Sequence, residues 1–581
     1  MAAMAQVREI PGYLTPYIAR QEYDKYTAID HAAWRYIMRV AGDFFTDHAY
    51  STYLRGLAET GINTERIPRL EEMNACLNRF GWQAVAVSGF IPPQVFMEFQ
   101  SLGIMPIACD MRKLENITYT PAPDIVHEAA GHAPMVADMD YRQYLINYGE
   151  VSRKAIFSWE DIELYDAIRQ LSEMKENPTA TDLDVENAQR QFEEKAASIS
   201  WISEATELSR MYWWTVEYGL VGSLEKPQIY GAGLLSSIGE SFHCLSEDVT
   251  HLPMDVSCVH QEFDITRPQP QLFVTPDFTV LSEILEEYAA TMAFRVGGLK
   301  ALEEARRART VTTTVLDTGL QISGILQDIR VDLDNRPFFL RYSDGVQLSQ
   351  DDIQLEGHGR EYHAQGFSSP IGRIKNLNIC PGELSDTDLE RMGFRPGQRG
   401  RLEFASGIVV DGELISSTPG KRDRRLLLSF RDCTVTQGME VLFRPEWGTF
   451  DMACGDLVES VFGGPADRSK FVITRPPRQL PRQKTNHSDA RAGLEEMYAT
   501  VRRLRESNPA LEVLAGELGS IAGMLSTSWS QDWLLRLEIL ELCANRSLRF
   551  DFLDRLHGEL DTLEASSPML AEVIQRGRKL L

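Results

Sequence analysis

The stretch Thr120-Pro-Ala-Pro-Asp-Ile-Val-His-Glu-Ala-Ala-Gly-His-Ala-Pro134 decides how the first half of the chain is interpreted. It places two histidines, His127 and His132, close together in sequence. Two upstream prolines interrupt any preceding helix, and Asp124 can cap a new one by accepting hydrogen bonds from the N–H groups of its first turn. Pro134 disfavours helical geometry in the residue before it. The sequence therefore predicts a short helix with a histidine near each end.

The spacing of these histidines restricts how they can bind a metal. In an HExxH motif the two histidines are four residues apart and lie on one helix face. His127 and His132 are five apart, which corresponds to about 140° of rotation around a regular α-helix. They can bind one ion only if the helix ends or bulges near His132, and Gly131 and Pro134 allow this. The alternative is that the two histidines are unrelated surface or core residues.

A second stretch, Met211-Tyr-Trp-Trp-Thr-Val-Glu-Tyr-Gly219, places one carboxylate in an aromatic and apolar run. A charged group is costly to bury unless it is paired or bound to a metal, so Glu217 requires a cation. The alternative is a glutamate on the solvent face of a buried helix. Two histidines and one carboxylate form the facial triad of non-haem Fe(II) oxygenases, which leaves positions open for oxygen and substrate. We therefore predict a metal site at His127, His132 and Glu217.

Three blocks of sequence, in order, carry a family resemblance: Tyr119 to His132, Tyr212 to Gly219, and Tyr230 to Glu240. In these blocks the chain resembles the tetrahydropterin-dependent aromatic amino acid hydroxylases, the family of phenylalanine, tyrosine and tryptophan hydroxylases. The resemblance covers roughly residues 10–300, about half of the chain.

The resemblance implies an activity and its cofactors. It implies Fe(2+) and tetrahydrobiopterin, or a related tetrahydropterin, as cofactors, and an aromatic amino acid and O2 as substrates. The pterin would supply two electrons, and one oxygen atom would be added to the aromatic ring. We expect phenylalanine to be converted to tyrosine, because this activity is common in members without a regulatory domain. Tyrosine and tryptophan remain alternatives, since the shape of the pocket decides between them.

The resemblance also assigns roles around the substrate. Arg112 would bind the substrate carboxylate through two parallel hydrogen bonds, and Thr120 would assist it. Trp213 would line the pocket for the substrate ring. Ser236 would bind the substrate or orient a histidine ligand, and Glu240 would be a further orienting group. For each of these residues the alternative is an ordinary surface or packing role.

The pterin would be held by the loop that follows a short strand beginning at Gln83. In the family, the positions of Gly89, Ile91 and Phe96 bind the cofactor, with the aromatic ring stacked on the flat pterin. Glu128, beside the first histidine, would contribute to cofactor binding and catalysis. The alternative for Phe96 is core packing.

Composition excludes several classes of function. The 581 residues carry a formal net charge of −25, which argues against binding nucleic acid or an anionic membrane surface. No apolar run approaches the roughly 20 residues of a membrane-spanning helix, and the N-terminus lacks the apolar segment of a signal peptide. Eight cysteines without a CxxC pair favour reduced thiols. We therefore expect a cytoplasmic protein; a homo-oligomer is left open.

We predict a multidomain α+β chain. A mainly α-helical catalytic domain is followed by a β-rich domain and a C-terminal helical domain. The predicted units are residues 1–309 with a charged helical insertion at about 155–200, residues 310–463, a linker at 464–487, and residues 488–581.

Some local predictions concern the later part of the chain. One long helix is expected from Phe278 to Arg309, closing the catalytic domain. In the β-rich domain, Asp411-Gly412 predicts a hairpin turn. His358 and His363 are also five residues apart, but their surroundings lack the pattern of the first motif, so no metal site is expected there.

Two alternatives of other classes remain. The histidines could bind zinc in a hydrolase in which Glu128 acts as a base towards a bound water. The chain could instead be a catalytically silent binding protein whose C-terminal half does the work. For residues 310–581 our hypothesis is regulation or assembly.

Overall fold

The computed structural model contains a mainly helical first part, a β-rich middle and a helical end, in the predicted order. It describes residues 9–87, 91–118, 123–176, 180–265, 267–395, 397–421, 423–471, 489–507 and 509–581. The predicted site residues Gly89 and Thr120 lie outside these ranges. Within the described ranges no helix is both long and apolar enough to cross a membrane.

The first part of the chain is built from helices with two small sheets. Its helices are α1 (Ala28–His48), α2 (Thr52–Glu59), α3 (Leu70–Leu77), α4 (Pro93–Ser101), α5 (Met139–Ser152), α6 (Trp159–Glu176), α7 (Asp182–Ala197), α8 (Glu204–Tyr212), α9 (Ala232–Ser236), α10 (Ile238–His243), α11 (Phe278–Ala289), α12 (Ala293–Val296) and α13 (Gly298–Ala308). Its strands are β1 (Gln83–Val87), β2 (Ile104–Ala108), β3 (Leu220–Gly222), β4 (Pro227–Ile229), β5 (Thr250–Pro253) and β6 (Gln271–Thr275). Strands β1 and β2 pair in parallel, and α4 lies between them in sequence. The other four strands form a sheet in the order β4-β3-β6-β5.

Helix α1 is the central helix of this part. It begins with a capping box, in which the Thr27 hydroxyl accepts the Asp30 N–H and the Asp30 carboxylate accepts the Thr27 N–H. The predicted apolar face, Trp34, Ile37 and Val40, is buried. This face belongs to the large apolar core that also contains residues of both predicted metal-binding segments.

The β-rich part forms two antiparallel sheets. Its strands are β7 (Val311–Leu316), β8 (Leu320–Val331), β9 (Pro337–Gln350), β10 (Ile353–Gln354), β11 (Phe367–Pro370), β12 (Arg399–Glu403), β13 (Ile408–Pro419), β14 (Arg425–Gln437), β15 (Glu440–Phe443), β16 (Phe450–Ala453) and β17 (Val458–Gly463), with one short helix, α14 (Asp386–Arg391). One sheet has the order β10-β9-β8-β7-β17, with β11 added beside β9. The other has the order β12-β13-β14-β15, with β16 beside β14.

The predicted long helix from Phe278 to Arg309 is wrong. The segment contains three helices, α11, α12 and α13. The break before α13 occurs at Gly297, which has a positive φ of 56° and lies so close to β17 that a Cβ would be 2.6 Å from the carbonyl oxygens of Val458 and Glu459. Helix α13 then buries its apolar face against β8 and β17, because Leu302 belongs to the same core cluster as residues of these strands.

The predicted hairpin turn at Asp411-Gly412 is also wrong. Both residues lie inside β13, where the pairing register with β14 shifts between Asp411 and Glu413. A Cβ at Gly412 would be 3.1 Å from the Cα of Cys433 on the neighbouring strand. This glycine therefore marks an irregularity within a strand, where two backbones approach closely.

Residues 464–471, the first part of the predicted linker, are packed against the β-rich part. The Asp467 carboxylate accepts the backbone N–H of Gln354, and its carbonyl accepts the Gln347 side chain. Arg468 reaches the first part of the chain, where it forms an ion pair with Glu98 of α4. The Glu98 carboxylate also accepts hydrogen bonds from Tyr13 and Arg153, so one buried carboxylate connects four segments.

The C-terminal part is a helical unit packed on α1. Its helices are α15 (Asp489–Ser507), α16 (Leu511–Ser528), α17 (Leu534–Asn545), α18 (Phe552–Ser566) and α19 (Pro568–Arg578). The predicted stripe of α15 is buried at Met497, Tyr498, Val501 and Leu504. These side chains join the core that also contains α1, so the stripe is a packing surface.

A buried ion pair joins α1 to this unit. Arg35 of α1 donates to both carboxylate oxygens of Glu538 in α17, and Arg505 of α15 donates to the same carboxylate. The side chains of Arg35 and Glu538 are 3% and 4% exposed. Burial alone would raise the pKa of Glu538, but the two arginines hold it below its usual value. The carboxylate is therefore anionic and pairs with both guanidinium groups, and Glu541 supplies Arg505 with a second carboxylate.

The substitution Glu538→Gln should destabilise the protein by about 3–5 kcal/mol, because it leaves the buried Arg35 guanidinium without its carboxylate partner, whereas Arg505 keeps Glu541. The measurement is the free energy of unfolding in urea. The difference from the wild type should shrink as the pH falls below the pKa of an ordinary carboxylate, because the wild type then loses the stability that its depressed pKa provides.

The matched control is Glu506→Gln. Glu506 pairs with Arg502 one turn away on α15, and its side chain is 61% exposed. Its loss should change the free energy of unfolding by less than about 0.5 kcal/mol. Equal effects of the two substitutions would contradict the role assigned to the buried pair.

Candidate metal centre and its pocket

The two histidines of the first motif lie on a π-helix, Val126–His132. A π-helix closes its hydrogen bonds between residues five apart, so residues at this spacing share a face. The Nε2 atoms of His127 and His132 are 3.1 Å apart. The predicted cap is also present, since the Asp124 carboxylate accepts the His127 N–H at 3.0 Å. The bulge that the spacing required therefore extends over the whole helical segment.

A second π-helix, Trp213–Glu217, carries the carboxylate to the histidines. The distance from Glu217 Oε2 to His127 Nε2 is 3.3 Å, and the distance from Glu217 Oε1 to His132 Nε2 is also 3.3 Å. Short π-helical segments are rare and occur frequently at functional sites. The structure thus brings together the three predicted ligands from two separate segments.

The geometry of these atoms fits a single metal ion. Three ligand atoms on one face of an octahedron with metal bonds of about 2.1 Å lie about 3 Å apart. The three side chains are largely buried, and all their ligand atoms face a common point. Two imidazoles and one carboxylate are the donor set of non-haem iron sites, and the opposite face of the octahedron is not filled by them.

The charges of the site also suit a cation. Burial lowers the pKa of His127 to about 4, against the effect of Glu217, so this ring is neutral. Burial would raise the pKa of Glu217, but His132 and His127 hold it below its usual value. Burial would lower the pKa of His132, but the nearby Glu217 carboxylate raises it, so a proton leaves this ring when a metal binds.

Ser236, at the end of α9, contacts the back of one ligand. Its hydroxyl lies 3.0 Å from Nδ1 of His127, the ring nitrogen that faces away from the metal position. Partners of this kind fix the ring orientation of a ligand. Ser236 was expected to bind the substrate or to orient a histidine ligand, and its hydroxyl contacts His127.

Arg112 is buried beside the site and is already engaged. Its Nε and Nη2 donate to both oxygens of Asp124 at 2.8 Å, and its Nη1 donates to the Ser236 carbonyl at 3.0 Å. Three of the five N–H groups of the guanidinium are therefore used. Among the described residues the other two have no partner.

Glu128 lies on the π-helix and is buried. Burial raises its pKa to about 8. Its Oε2 atom has no hydrogen-bond partner in the described part of the chain. A buried polar atom without a partner is costly, and a ligand with N–H groups, such as a pterin, would satisfy it. The residue therefore fits the predicted role in cofactor binding.

Two other predicted pterin contacts are near α4. Ile91 is buried in a small cluster with Val87 and Phe99, which fixes the start of the helix. Phe96 is only partly buried, and its ring makes an edge contact with Tyr212 at 6.2 Å between centroids. Part of this ring thus remains accessible to a flat ligand.

Trp213 is the middle of a stack of three rings. Its ring centroid is 4.5 Å from that of Tyr218 and 4.3 Å from that of Phe263. Sequence analysis missed Phe263, because nothing in the surrounding sequence indicates that it meets Trp213. Glu240 has its pKa raised to about 7 by burial, and no hydrogen bond among the described residues joins its carboxylate to a metal ligand.

Comparison with known proteins gives a family and several relatives. A family model described as biopterin-dependent aromatic amino acid hydroxylase matches residues 18–162 and 186–337, together half of the chain. A phenylalanine-4-hydroxylase of Pseudomonas aeruginosa is 29% identical over 281 residues, covering 47% of this chain and 89% of the relative. A human tyrosine 3-monooxygenase is 27% identical over 272 residues, covering 46% of this chain and 43% of the relative. A phenylalanine hydroxylase structure from Chromobacterium violaceum, with bound oxidized Fe(III), is 25% identical with a TM-score of 0.37, covering 47% of this chain and 86% of that one.

The substitution Ser236→Ala should weaken metal binding about 10–100-fold, because His127 loses the partner that orients its ring. Titration of the metal-free protein with Fe(II) measures this change as a change in the dissociation constant. Ser237→Ala is the control: its hydroxyl donates to the Thr118 carbonyl and accepts the Glu240 N–H at the start of α10, so its loss affects local stability but removes no contact with a ligand. Equal affinities in the wild type and Ser236→Ala would exclude an orienting role.

The substitution Gly131→Ala should destabilise the protein by about 1–3 kcal/mol and weaken metal binding. A Cβ at Gly131 would be 2.7 Å from the carbonyl oxygen of Ala232, so the π-helix and α9 would have to separate. Thermal unfolding and metal titration check both effects. In Gly42→Ala the new methyl group meets nothing within 4 Å, and this control should gain about 0.5–1 kcal/mol as a helix position.

Proposed function

Because the chain belongs to the biopterin-dependent aromatic amino acid hydroxylase family, we propose that it converts phenylalanine to tyrosine with Fe(II), a tetrahydropterin and O2. The observation that carries this proposal is the convergence of His127, His132 and Glu217, whose ligand atoms are 3.1–3.3 Å apart. A zinc hydrolase with the same ligands is less well supported, since the family described by the matching model is pterin-dependent.

The metal and the pterin supply the oxygen chemistry when they are bound, and the protein supplies position and electrostatics. Glu128 is the group within the site that can accept hydrogen bonds from the pterin ring, since its buried Oε2 lacks a partner among the described residues. The partly exposed ring of Phe96 offers a face for stacking. These two contacts would place the pterin between α4 and the π-helix that carries the histidines.

The amino acid substrate requires a carboxylate partner and an apolar wall. Two N–H groups of the Arg112 guanidinium have no partner among the described residues and would bind this carboxylate, and Asp124 holds the rest of the side chain in place. The stacked rings of Trp213, Tyr218 and Phe263 would supply this wall, and because Trp213 is covered on both faces it would meet the substrate with its ring edge. An edge-to-face contact suits an aromatic side chain, because ring pairs gain about 0.5–1.5 kcal/mol beyond simple burial.

Phenylalanine is preferred over tyrosine and tryptophan on the basis of the relatives. Phenylalanine-4-hydroxylases from several bacteria match most of their own length to this chain, as in Pseudomonas aeruginosa and Ralstonia nicotianae. The human tyrosine 3-monooxygenase matches at nearly the same identity, so the assay must include all three amino acids. A cytoplasmic location is part of the proposal and is supported by the eight cysteines, all of them free thiols.

The part of the chain after residue 310 serves regulation or assembly in this proposal. Two contacts support a coupling to the catalytic part. Glu98 on α4, the helix that follows the predicted pterin loop, is paired with Arg468, and Arg35 on α1 is paired with Glu538. A structural change in the β-rich part or in the C-terminal helical unit would therefore act on α4 or on α1.

An aerobic assay tests the activity. The protein with ferrous iron and tetrahydrobiopterin is given phenylalanine, tyrosine or tryptophan, and the product is identified by a mass increase of one oxygen atom. We expect product from phenylalanine, dependent on both iron and pterin. His132→Ala should lower the rate by more than about 100-fold, because even a partner of a ligand contributes 10–100-fold.

The control is His557→Ala, which removes an exposed histidine on α18 and should leave the rate unchanged. Product from tyrosine or tryptophan alone would replace the proposed substrate. Absence of product from all three, with iron bound at His127, His132 and Glu217, would refute the proposed reaction.

A further inference from the structure

Two histidines and an aspartate of the β-rich part meet where its two sheets face each other. His358 and His363 follow β10, and their carbonyl groups accept the N–H groups of Leu348 and Val346 on β9. Asp451 lies on β16, which pairs with β14 in the other sheet. No local sequence pattern predicts this meeting, because the aspartate comes from a distant segment.

The distances within this cluster suit a metal ion. His358 Nδ1 and His363 Nε2 are 3.2 Å apart, and the ligand atoms of all three residues lie within 4.8 Å of one another. Two ligand atoms of a tetrahedral ion with bonds of about 2.1 Å lie about 3.4 Å apart. The histidine pair thus has the separation of two ligands, and a small rotation of the carboxylate completes the third.

The environment of Asp451 is an independent indication. Its side chain is buried, and its described partners are neutral: the hydroxyl of Ser429, which donates at 2.5 Å, and the hydroxyl of Tyr362. No lysine or arginine in the described part of the chain forms an ion pair with it. A buried carboxylate is costly without a cation, and two buried carboxylates elsewhere in this protein, Glu98 and Glu538, have arginine partners.

A hydrogen bond between two neutral imidazoles would explain the contact of His358 with His363. It would leave the buried charge of Asp451 without a counter-ion, however. One metal ion accounts for both observations, because it binds the two ring nitrogens and neutralises the carboxylate. Ser429 then acts as the partner that orients a carboxylate ligand.

We propose that His358, His363 and Asp451 bind a divalent transition-metal ion of the zinc class. Two imidazoles and one carboxylate suit such ions, and the fourth position is open to water or to the nearby Tyr362 hydroxyl. The ion connects the sheet that contains β9 to the sheet that contains β16. Its binding free energy therefore contributes to the folding of the β-rich part. The site does not depend on the proposed hydroxylase activity.

The test counts metal ions per full-length chain. The protein is freed of metal with a chelator, incubated with excess Zn²⁺, passed through gel filtration and analysed for zinc by mass spectrometry. We expect two zinc ions per wild-type chain, one at the catalytic triad and one at the new site. A chain with His127→Ala and His132→Ala should retain one zinc ion, and adding His363→Ala to it should remove that ion.

Two further variants sharpen the test. Asp451→Asn keeps the size of the side chain and should bind one zinc ion fewer than the wild type. His557→Ala, an exposed histidine far from both sites in sequence, should still bind two. In the chain with His127→Ala and His132→Ala, zinc should also raise the unfolding temperature by several degrees, and His363→Ala should abolish that rise.

The outcome that overturns the proposal does not depend on how the β-rich variants fold. If the chain with His127→Ala and His132→Ala retains no zinc while circular dichroism shows it folded, the second site does not exist. Wild-type zinc content in Asp451→Asn would also overturn it.

Discussion

The rest of the structure depends on one constraint, that two histidines five residues apart must face a single point. An α-helix cannot meet this constraint, and the chain meets it with a π-helix, which is uncommon and requires support. The support is a closed chain of hydrogen bonds. Asp124 caps His127, Arg112 joins Asp124 to the Ser236 carbonyl, and the Ser236 hydroxyl contacts the ring of His127. The same groups thus hold the helix in an unusual conformation and orient a ligand.

Buried charges connect this centre to the remainder of the chain. Carboxylates at Glu217, Glu98 and Glu538 each lie in an apolar environment, and each is stabilised by partners from a different segment. When a buried carboxylate and its partner come from two different segments, the pair holds these segments together, because separating them leaves an uncompensated buried charge. The C-terminal units are therefore joined to the catalytic part by specific pairs as well as by apolar packing. In our proposal the carboxylate of Asp451 is also neutralised by a cation, which here is a metal ion taken up from solution.

Local patterns predicted the elements that local chemistry controls. The cap at Asp124 and the apolar face of α1 were predicted from neighbouring residues, and the spacing of His127 and His132 showed that the helix must end or bulge if both bind one ion. The failures have a common cause. Gly297 interrupts a helix because β17 passes close to it, and Gly412 lies inside a strand because Cys433 lies opposite. In both cases the deciding neighbour is remote in sequence, so no local pattern could reveal it.

The sequence by itself indicated the family and the three candidate metal ligands, because the spacing of His127 and His132, the position of Glu217 and the blocks around them are local features. Only the tertiary structure decided what surrounds them. It placed Phe263 on Trp213, engaged Arg112 with Asp124, and brought Asp451 to a histidine pair that local context argued against. The physical reason is that a ligand set requires distances of a few ångströms, and between separate segments such distances are set by packing, which a linear pattern does not contain.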